Sequence, residues 1–272
     1  MIEAKESGFP LLRLASRRPV ILDAGMGTRL IALGFDPRSE DSSFWNQSHP
    51  EVVAAIHASD LEAGADAILS NTFCASRRWL ERFNRGGDVF LINQLATRIA
   101  RRCAGTERFV IGSMGPSAVE DSVGLREQAE ALAISGVDAL LLETQRYPEV
   151  LAAVAILRSD FNLPLIVSLQ FWPQEMADAV RRLEDLGVDA VGENCQGGLE
   201  DAIRTAERLG KVTELPLWIK PSAGLPGAAQ ESPKMFGKTA SRLIGAGVSF
   251  LGGCCGTTEA HVVALREACY DL

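Results

Sequence analysis

Three cysteines sit where they can share a metal ion. Cys254 and Cys255 lie side by side in Leu251-Gly252-Gly253-Cys254-Cys255-Gly256-Thr257-Thr258, and far upstream Cys195 closes Gly192-Glu193-Asn194-Cys195. Each follows a short apolar run with the character of a buried strand. Three thiolates at strand ends hold a zinc ion and leave its fourth position open, which separates catalytic zinc from structural zinc. Soft sulfur ligands also suit a substrate that is itself a thiol. The plainer reading is three buried thiols, because free cysteine packs well; a Gly-Gly-Cys-Cys-Gly run at a strand end argues against it. A Cys254–Cys255 disulfide is disfavoured, since neighbours cannot easily reach bridge geometry. Cys74, Cys103 and Cys269 are bystanders, and only Cys74 falls near an expected strand end.

The elements that must position these residues alternate along the chain. Strand-like runs are Pro19–Leu22, Ala67–Leu69, Phe109–Ile111, Ala139–Leu142, Leu165–Leu169, Ala190–Gly192, Leu217–Ile219 and Val248–Leu251. Short, continuous and apolar is the pattern of parallel strands buried on both faces. Helical spacing marks Glu51–Ala63, Leu125–Ser135, Glu149–Arg158, Glu175–Leu186, Leu199–Leu209, Phe236–Ile244 and Glu259–Ala268. Several of these end in glycine, which accepts the left-handed turn that stops a helix. Asp66, Asp138 and Asp189 follow such glycines and precede strands, so one α-to-β turn recurs. About eight alternating units predict a single-domain α/β fold, a (β/α)8 TIM barrel. A doubly wound open sheet has the same strand count. The barrel domain is expected over 16–272, with residues 1–15 a loose N-terminal extension.

A barrel carries its active site at the C-terminal ends of its strands. Those ends offer Asp23-Ala24-Gly25-Met26-Gly27-Thr28, Ser70-Asn71-Thr72-Phe73, Gly112-Ser113-Met114, Glu143-Thr144, Gln170-Phe171-Trp172, Glu193-Asn194-Cys195 and Lys220-Pro221-Ser222-Ala223-Gly224. Glu143, directly after four apolar residues, reads as functional more readily than as a rim ion pair. Asp23 either caps the next helix or meets a ligand. Asn71 either bridges strand ends or touches substrate. Trp172 is either an aromatic wall for an onium group or core. His49, His57 and His261 lie before or on helices and read as structural. Gly25-Met26-Gly27-Thr28 lacks the spacing and lysine of a phosphate loop.

Bulk properties exclude other classes. The 272 residues are 47% hydrophobic and 23% charged, ordinary for a globular domain. A net charge of -8 without a basic stripe argues against nucleic acid or an anionic membrane as partner. The Arg17-Arg18, Arg77-Arg78, Arg101-Arg102 and Arg181-Arg182 pairs are isolated and read as solvated faces. No apolar run approaches the ~20 residues of a membrane span. The N-terminus shows no secretory signal, so a cytoplasmic setting with reduced thiols is expected.

The chain resembles the homocysteine-binding methyltransferase family from Ile21 to about Ala268. Gly-Gly-Cys-Cys-Gly-Thr-Thr and Asn194-Cys195 are the specific matches, supported by Asn71-Thr72-Phe73 and Glu143-Thr144. The family includes betaine– and S-methylmethionine–homocysteine methyltransferases and the homocysteine module of cobalamin-dependent methionine synthase, which it resembles most. The resemblance implies Zn2+ on Cys195, Cys254 and Cys255, with homocysteine's sulfur as fourth ligand. It implies Glu143 on the substrate's ammonium and backbone near Ala24 and Gly25 on its carboxylate. Asp23 would fix this loop or the amino group, and Asn71 would line the site. The implied reaction methylates homocysteine to methionine. The donor is S-methylmethionine or a similar small molecule, or a methyl corrinoid on a separate protein. Ala24 stands where glycine is usual, Ser222 replaces an asparagine, and the segment after the fifth strand is short. These departures keep two alternatives open: a methyltransferase or demethylase for another thiol or onium donor, and a non-catalytic homocysteine- or zinc-binding subunit.

Overall fold

A computed structural model describes residues 8–116, 121–195, 197–225 and 230–270. Its core is one eight-stranded parallel sheet: β1 (Val20–Ile21), β2 (Ala67–Leu69), β3 (Phe109–Met114), β4 (Ala139–Gln145), β5 (Leu165–Leu169), β6 (Ala190–Asn194), β7 (Leu217–Lys220) and β8 (Val248–Leu251). Each strand from β2 onward pairs with its successor, and β8 pairs with β1. A parallel bridge between Leu22 and Ala67 brings β1 to β2 and closes the ring. The fold is the expected (β/α)8 barrel.

Both faces of the strands are apolar because both are covered. Alternate residues, among them Val20, Ile111, Leu141, Ile166, Trp218 and Phe250, fill the barrel interior. The residues between them, such as Ile21, Val110, Leu140, Val167 and Ile219, pack with helix residues including Leu132, Val154, Leu183, Ile203 and Leu243. That two-sided burial is why the strands carry no polar alternation.

The recurring aspartates close the N-terminal ends of the strands. Asp138 Oδ2 accepts the Val110 N–H (2.7 Å), and the Asp138 N–H donates back to the Val110 carbonyl (2.7 Å). Asp66 makes the same pair of bonds with Ile21, and Asp189 with Leu165. Arginines complete each clamp: Arg18 and Arg108 on Asp66, Arg101 on Asp138 and Arg158 on Asp189. The glycines two residues before these aspartates, Gly64, Gly136 and Gly187, have φ of 106, 88 and 83°.

Three features differ from the sequence reading. β3, β4, β6 and β7 run on into the polar residues expected to follow them, because the inter-strand ladder continues through Ser113–Leu141 and Asn194–Lys220. The N-terminal segment is not loose over its described part. Residues Pro10–Ala15 form a helix whose Leu11, Leu12 and Ala15 are buried against the interior cluster; residues 1–7 lie outside the described part. A sixteen-residue helix, Val89–Ala104, also stands where no element was expected. Val89, Ile92, Ala96, Ile99 and Ala100 are buried at helical spacing along it, a period the sequence itself carries. Among the described residues no helix is long and apolar enough to cross a membrane.

Candidate active site

The inward-facing positions of the barrel change character along the strands. Toward the C-terminal ends, apolar side chains give way to buried Ser113, Glu143, Ser168, Asn194 and Lys220. Above them opens a cavity of about 330 Å³, and all eight residues expected to hold metal or substrate border it: Asp23, Ala24, Gly25, Asn71, Glu143, Cys195, Cys254 and Cys255.

The three sulfur atoms meet on one side of this cavity. They lie within 4.8 Å of one another, with Cys195 and Cys255 Sγ 3.2 Å apart. Zinc–sulfur bonds of about 2.3 Å in a tetrahedral set separate the sulfurs by roughly 3.8 Å, so this donor set fits a soft divalent ion. Cys195 has φ of 63°, a left-handed conformation rare outside glycine. The end of the β6–β7 ladder holds it there, through its N–H on the Lys220 carbonyl (3.1 Å). Hydrogen bonds from Cys254 and Cys255 hold the Cys195 thiol well below the ordinary thiol range. The bond to Cys195 pushes Cys255 up to about 11, and the bonds to both other cysteines raise Cys254 well above the ordinary thiol range. The three thiols thus hold their protons jointly, and a metal bound among them would take the sulfurs as thiolates.

The Cys254-Cys255 turn is fastened from three directions. The Cys254 N–H donates to the Pro221 carbonyl (2.8 Å), and Thr257 Oγ1 donates to the Cys254 carbonyl (2.6 Å). The Gly25 N–H donates to the same Thr257 hydroxyl (2.9 Å). A Cβ at Gly25 would lie 2.3 Å from the Cys254 carbonyl oxygen, so only glycine lets the two loops touch. Ala24 has no positive φ and is buried in the core cluster, so alanine there carries no backbone strain. Ser222 ties the Cys254-Cys255 turn to β7's end. Its Oγ donates to the Cys255 carbonyl and accepts the Gly224 N–H, both at 3.1 Å.

Glu143 faces the cavity from β4. The β4–β5 register slips by one residue between Leu142 and Gln145, and Thr144 takes φ of 55°. Such a bulge re-aims a side chain. Glu143 Oε1 accepts the Asn194 amide (2.6 Å), Oε2 accepts the Ser113 hydroxyl, and Trp218 Nε1 donates to Asn194 Oδ1 (2.7 Å). Burial lifts the Glu143 carboxyl above its ordinary value, opposed by Lys220 and by the Ser113 bond. Asp23 accepts the Leu69 N–H on Oδ2 (2.7 Å) and the Lys220 ammonium on Oδ1. Burial acts to lower the Lys220 ammonium's pKa, but Asp23 and Glu143 outweigh it and hold the group above its ordinary value. Lys220, Ser113 and Thr257 carry much of this network without having been singled out. A lysine ending the apolar run Leu217-Trp218-Ile219 was the one available signal.

Other candidates make structural contacts, Asn71 while also bordering the cavity. Asn71 donates to the Ser42 carbonyl (2.9 Å) and to Asn46, tying the 41–48 segment to β2. Trp172 donates to the Gly192 carbonyl (3.2 Å) and packs on the core rather than lining the cavity. His261 accepts the Thr258 N–H and packs edge-on against Phe236; His49 lies over Trp45. Cys74 does not border the cavity. The segment after β5 is short, with helix Met176–Asp185 beginning seven residues after Leu169, and Phe171 is 59% exposed on this face.

The sequence profile of homocysteine S-methyltransferase matches residues 20–269. Methionine synthase of Mycobacterium tuberculosis is 32% identical across 96% of this chain, and that of Mycobacterium leprae 31% across 95%. The chain spans about a quarter of the length of these curated relatives: 25% of each. Among solved structures, the metallated homocysteine methyltransferase MmuM of Escherichia coli superposes with a TM-score of 0.82 at 23% identity, covering 94% of this chain and 99% of MmuM. A methyltransferase from Methanosarcina mazei superposes at 0.67 with 13% identity, over 97% of this chain and 99% of its own. At these identities the superpositions speak for the fold.

Proposed function

This chain belongs to the homocysteine S-methyltransferase family, and from that premise we propose that it transfers a methyl group from an activated donor to the thiol of L-homocysteine, giving methionine. The observation that carries the proposal is the meeting of Cys195, Cys254 and Cys255 sulfurs within 4.8 Å, beside a cavity that Glu143 also borders. We take residues 16–272 as the homocysteine-binding barrel and zinc as the metal held by the three cysteines. Zinc on three thiolates supplies an open coordination position and favours the ionised form of a thiol placed there.

The chain's own residues supply placement. Glu143 receives the substrate's ammonium, and its two neutral donors, Ser113 and Asn194, fix the direction in which it points. The Ala24-Gly25 segment takes the carboxylate end. Its own N–H groups are turned to Asp60 and Thr257, so it forms a wall thinned by Gly25 rather than a set of free donors. Fixing the ammonium on Glu143 against that wall aims homocysteine's sulfur, and positioning is a large part of what a bimolecular transfer requires. The sulfur then attacks the donor methyl carbon in line. A carbon–sulfur bond forms as the bond from that carbon to the donor atom breaks, and the donor leaves with its electron pair.

The donor is S-methylmethionine or a similar small molecule, or a methyl corrinoid held outside this barrel. The brief connection after β5 leaves this side of the rim open to either. Free, closely spaced thiols suit a reducing compartment, which favours the cytoplasm. The test is metal analysis followed by turnover of homocysteine with a donor panel. About one zinc per chain and methionine formation are expected. Methylation of some other thiol, with no binding of homocysteine, sinks the proposal; binding without turnover on any donor leaves the non-catalytic subunit as the reading.

A further inference from the structure

Lys220 has no part in the chemistry described so far, yet its position is unusual. It ends β7, its side chain is 3% exposed, and its ammonium pairs with Asp23. The other Asp23 oxygen accepts the Leu69 N–H at 2.7 Å. Both oxygens of Asp23 therefore already face donors from the protein. Glu143 differs. Its hydrogen-bond partners, the Ser113 hydroxyl and the Asn194 amide, are neutral and leave its charge uncompensated at contact distance. Each carboxylate oxygen can also accept a second hydrogen bond. One wall of the cavity thus holds two buried carboxylates and one buried ammonium, with the ammonium committed to Asp23.

We propose that Lys220 is a positioning residue that sets substrate specificity: it commits Asp23 to the protein and leaves Glu143 as the one carboxylate that receives the substrate's ammonium. This rests on the homocysteine reading above and deepens it. Two adjacent buried carboxylates resist joint ionisation, and an unpaired buried charge is costly. With Lys220 paired to Asp23, Glu143 is the carboxylate of the two left without a cationic partner in contact, and the substrate's ammonium supplies one. The pocket is thereby matched to thiols carrying one ammonium. Without Lys220, Asp23 competes with Glu143 for that ammonium and draws the substrate away from the position that aims its sulfur.

The test compares zinc-loaded wild type, Lys220→Met, Glu143→Gln and the double variant Asp23→Asn/Lys220→Met. Calorimetry gives the dissociation constants of L-homocysteine and of its des-amino analogue 4-mercaptobutanoate; their ratio reads amino-group recognition independently of turnover. Lys220→Met should lose at least about tenfold in kcat, with a homocysteine KM no higher than wild type. The double variant removes both charges of the pair and keeps an acceptor for the Leu69 N–H. It should regain most of the lost kcat and hold the wild-type amino-group preference within about threefold, while Glu143→Gln loses that preference by about tenfold or more. If Lys220→Met does not fold, the double variant carries the test by its binding ratio. A double variant that loses the preference as Glu143→Gln does would show that Asp23 meets the substrate, and overturn the proposal. So would a Lys220→Met enzyme with wild-type kcat. Wild-type protein that binds no homocysteine would instead remove the functional reading, a result distinct from either.

Discussion

At the scale of single residues, the site separates side chains that hold a ligand from those that hold the holders. Cys255→Ala should take bound metal from about one ion per chain to near zero, measured by elemental analysis, with an unchanged circular dichroism spectrum because the barrel core lies below the site. Glu143→Gln removes the charge but keeps the shape. It should weaken homocysteine roughly 10- to 100-fold, the worth of a hydrogen bond to a charged group, and leave thiols without an amino group nearly unaffected in the same titration. His57 makes a different prediction. It is fully buried, neither ring nitrogen has a partner, and burial pushes its pKa down to about 4. In the folded chain it stays neutral where the unfolded chain takes up a proton. Stability is therefore full above about pH 6.5 and lost progressively as pH falls toward about 4. That window corresponds to something on the order of 3 kcal/mol. His57→Leu should flatten this acid-side slope in urea titrations at pH 5 and pH 7.5; equal slopes in the two proteins would show that other groups govern it.

At the scale of elements, the strands were legible and their ends were not. Apolar runs marked all eight, because strands buried on both faces need such residues throughout. The reading stopped at Ile111, Leu142, Gly192 and Ile219, where the inward-facing positions turn polar, although the ladder continues to Met114, Gln145, Asn194 and Lys220. Ser113, Asn194 and Lys220, visible at that border but without an assigned role, are the ones that orient Glu143 and Asp23. Cysteines could be read directly, since their chemistry is in their type; a serine or lysine becomes informative only once its neighbours are known. The recurring Gly-x-Asp phrase was visible as a turn but not as a clamp, because its partners, Ile21, Val110 and Leu165, lie one βα unit back. Asp189→Ala strips the Leu165 N–H of its side-chain acceptor and leaves Arg158 without its carboxylate. It should cost about 1–3 kcal/mol in denaturant midpoints while kcat stays at the wild-type value.

At the scale of the whole molecule, the N-terminal helix Pro10–Ala15 joins the barrel interior rather than trailing from it. Leu11 is 1% exposed within that cluster, so Leu11→Ala should cost about 2–5 kcal/mol. Thermal melts should show the loss with metal content untouched. The aspartate clamps and this helix gather at the opposite end of the strands from the thiols. Damage to the two ends would thus be seen by different instruments: a thermometer for the floor, an assay for the rim. A lineage can harden its floor against heat while retailoring its rim to a new alkyl source, and neither change need wait for the other.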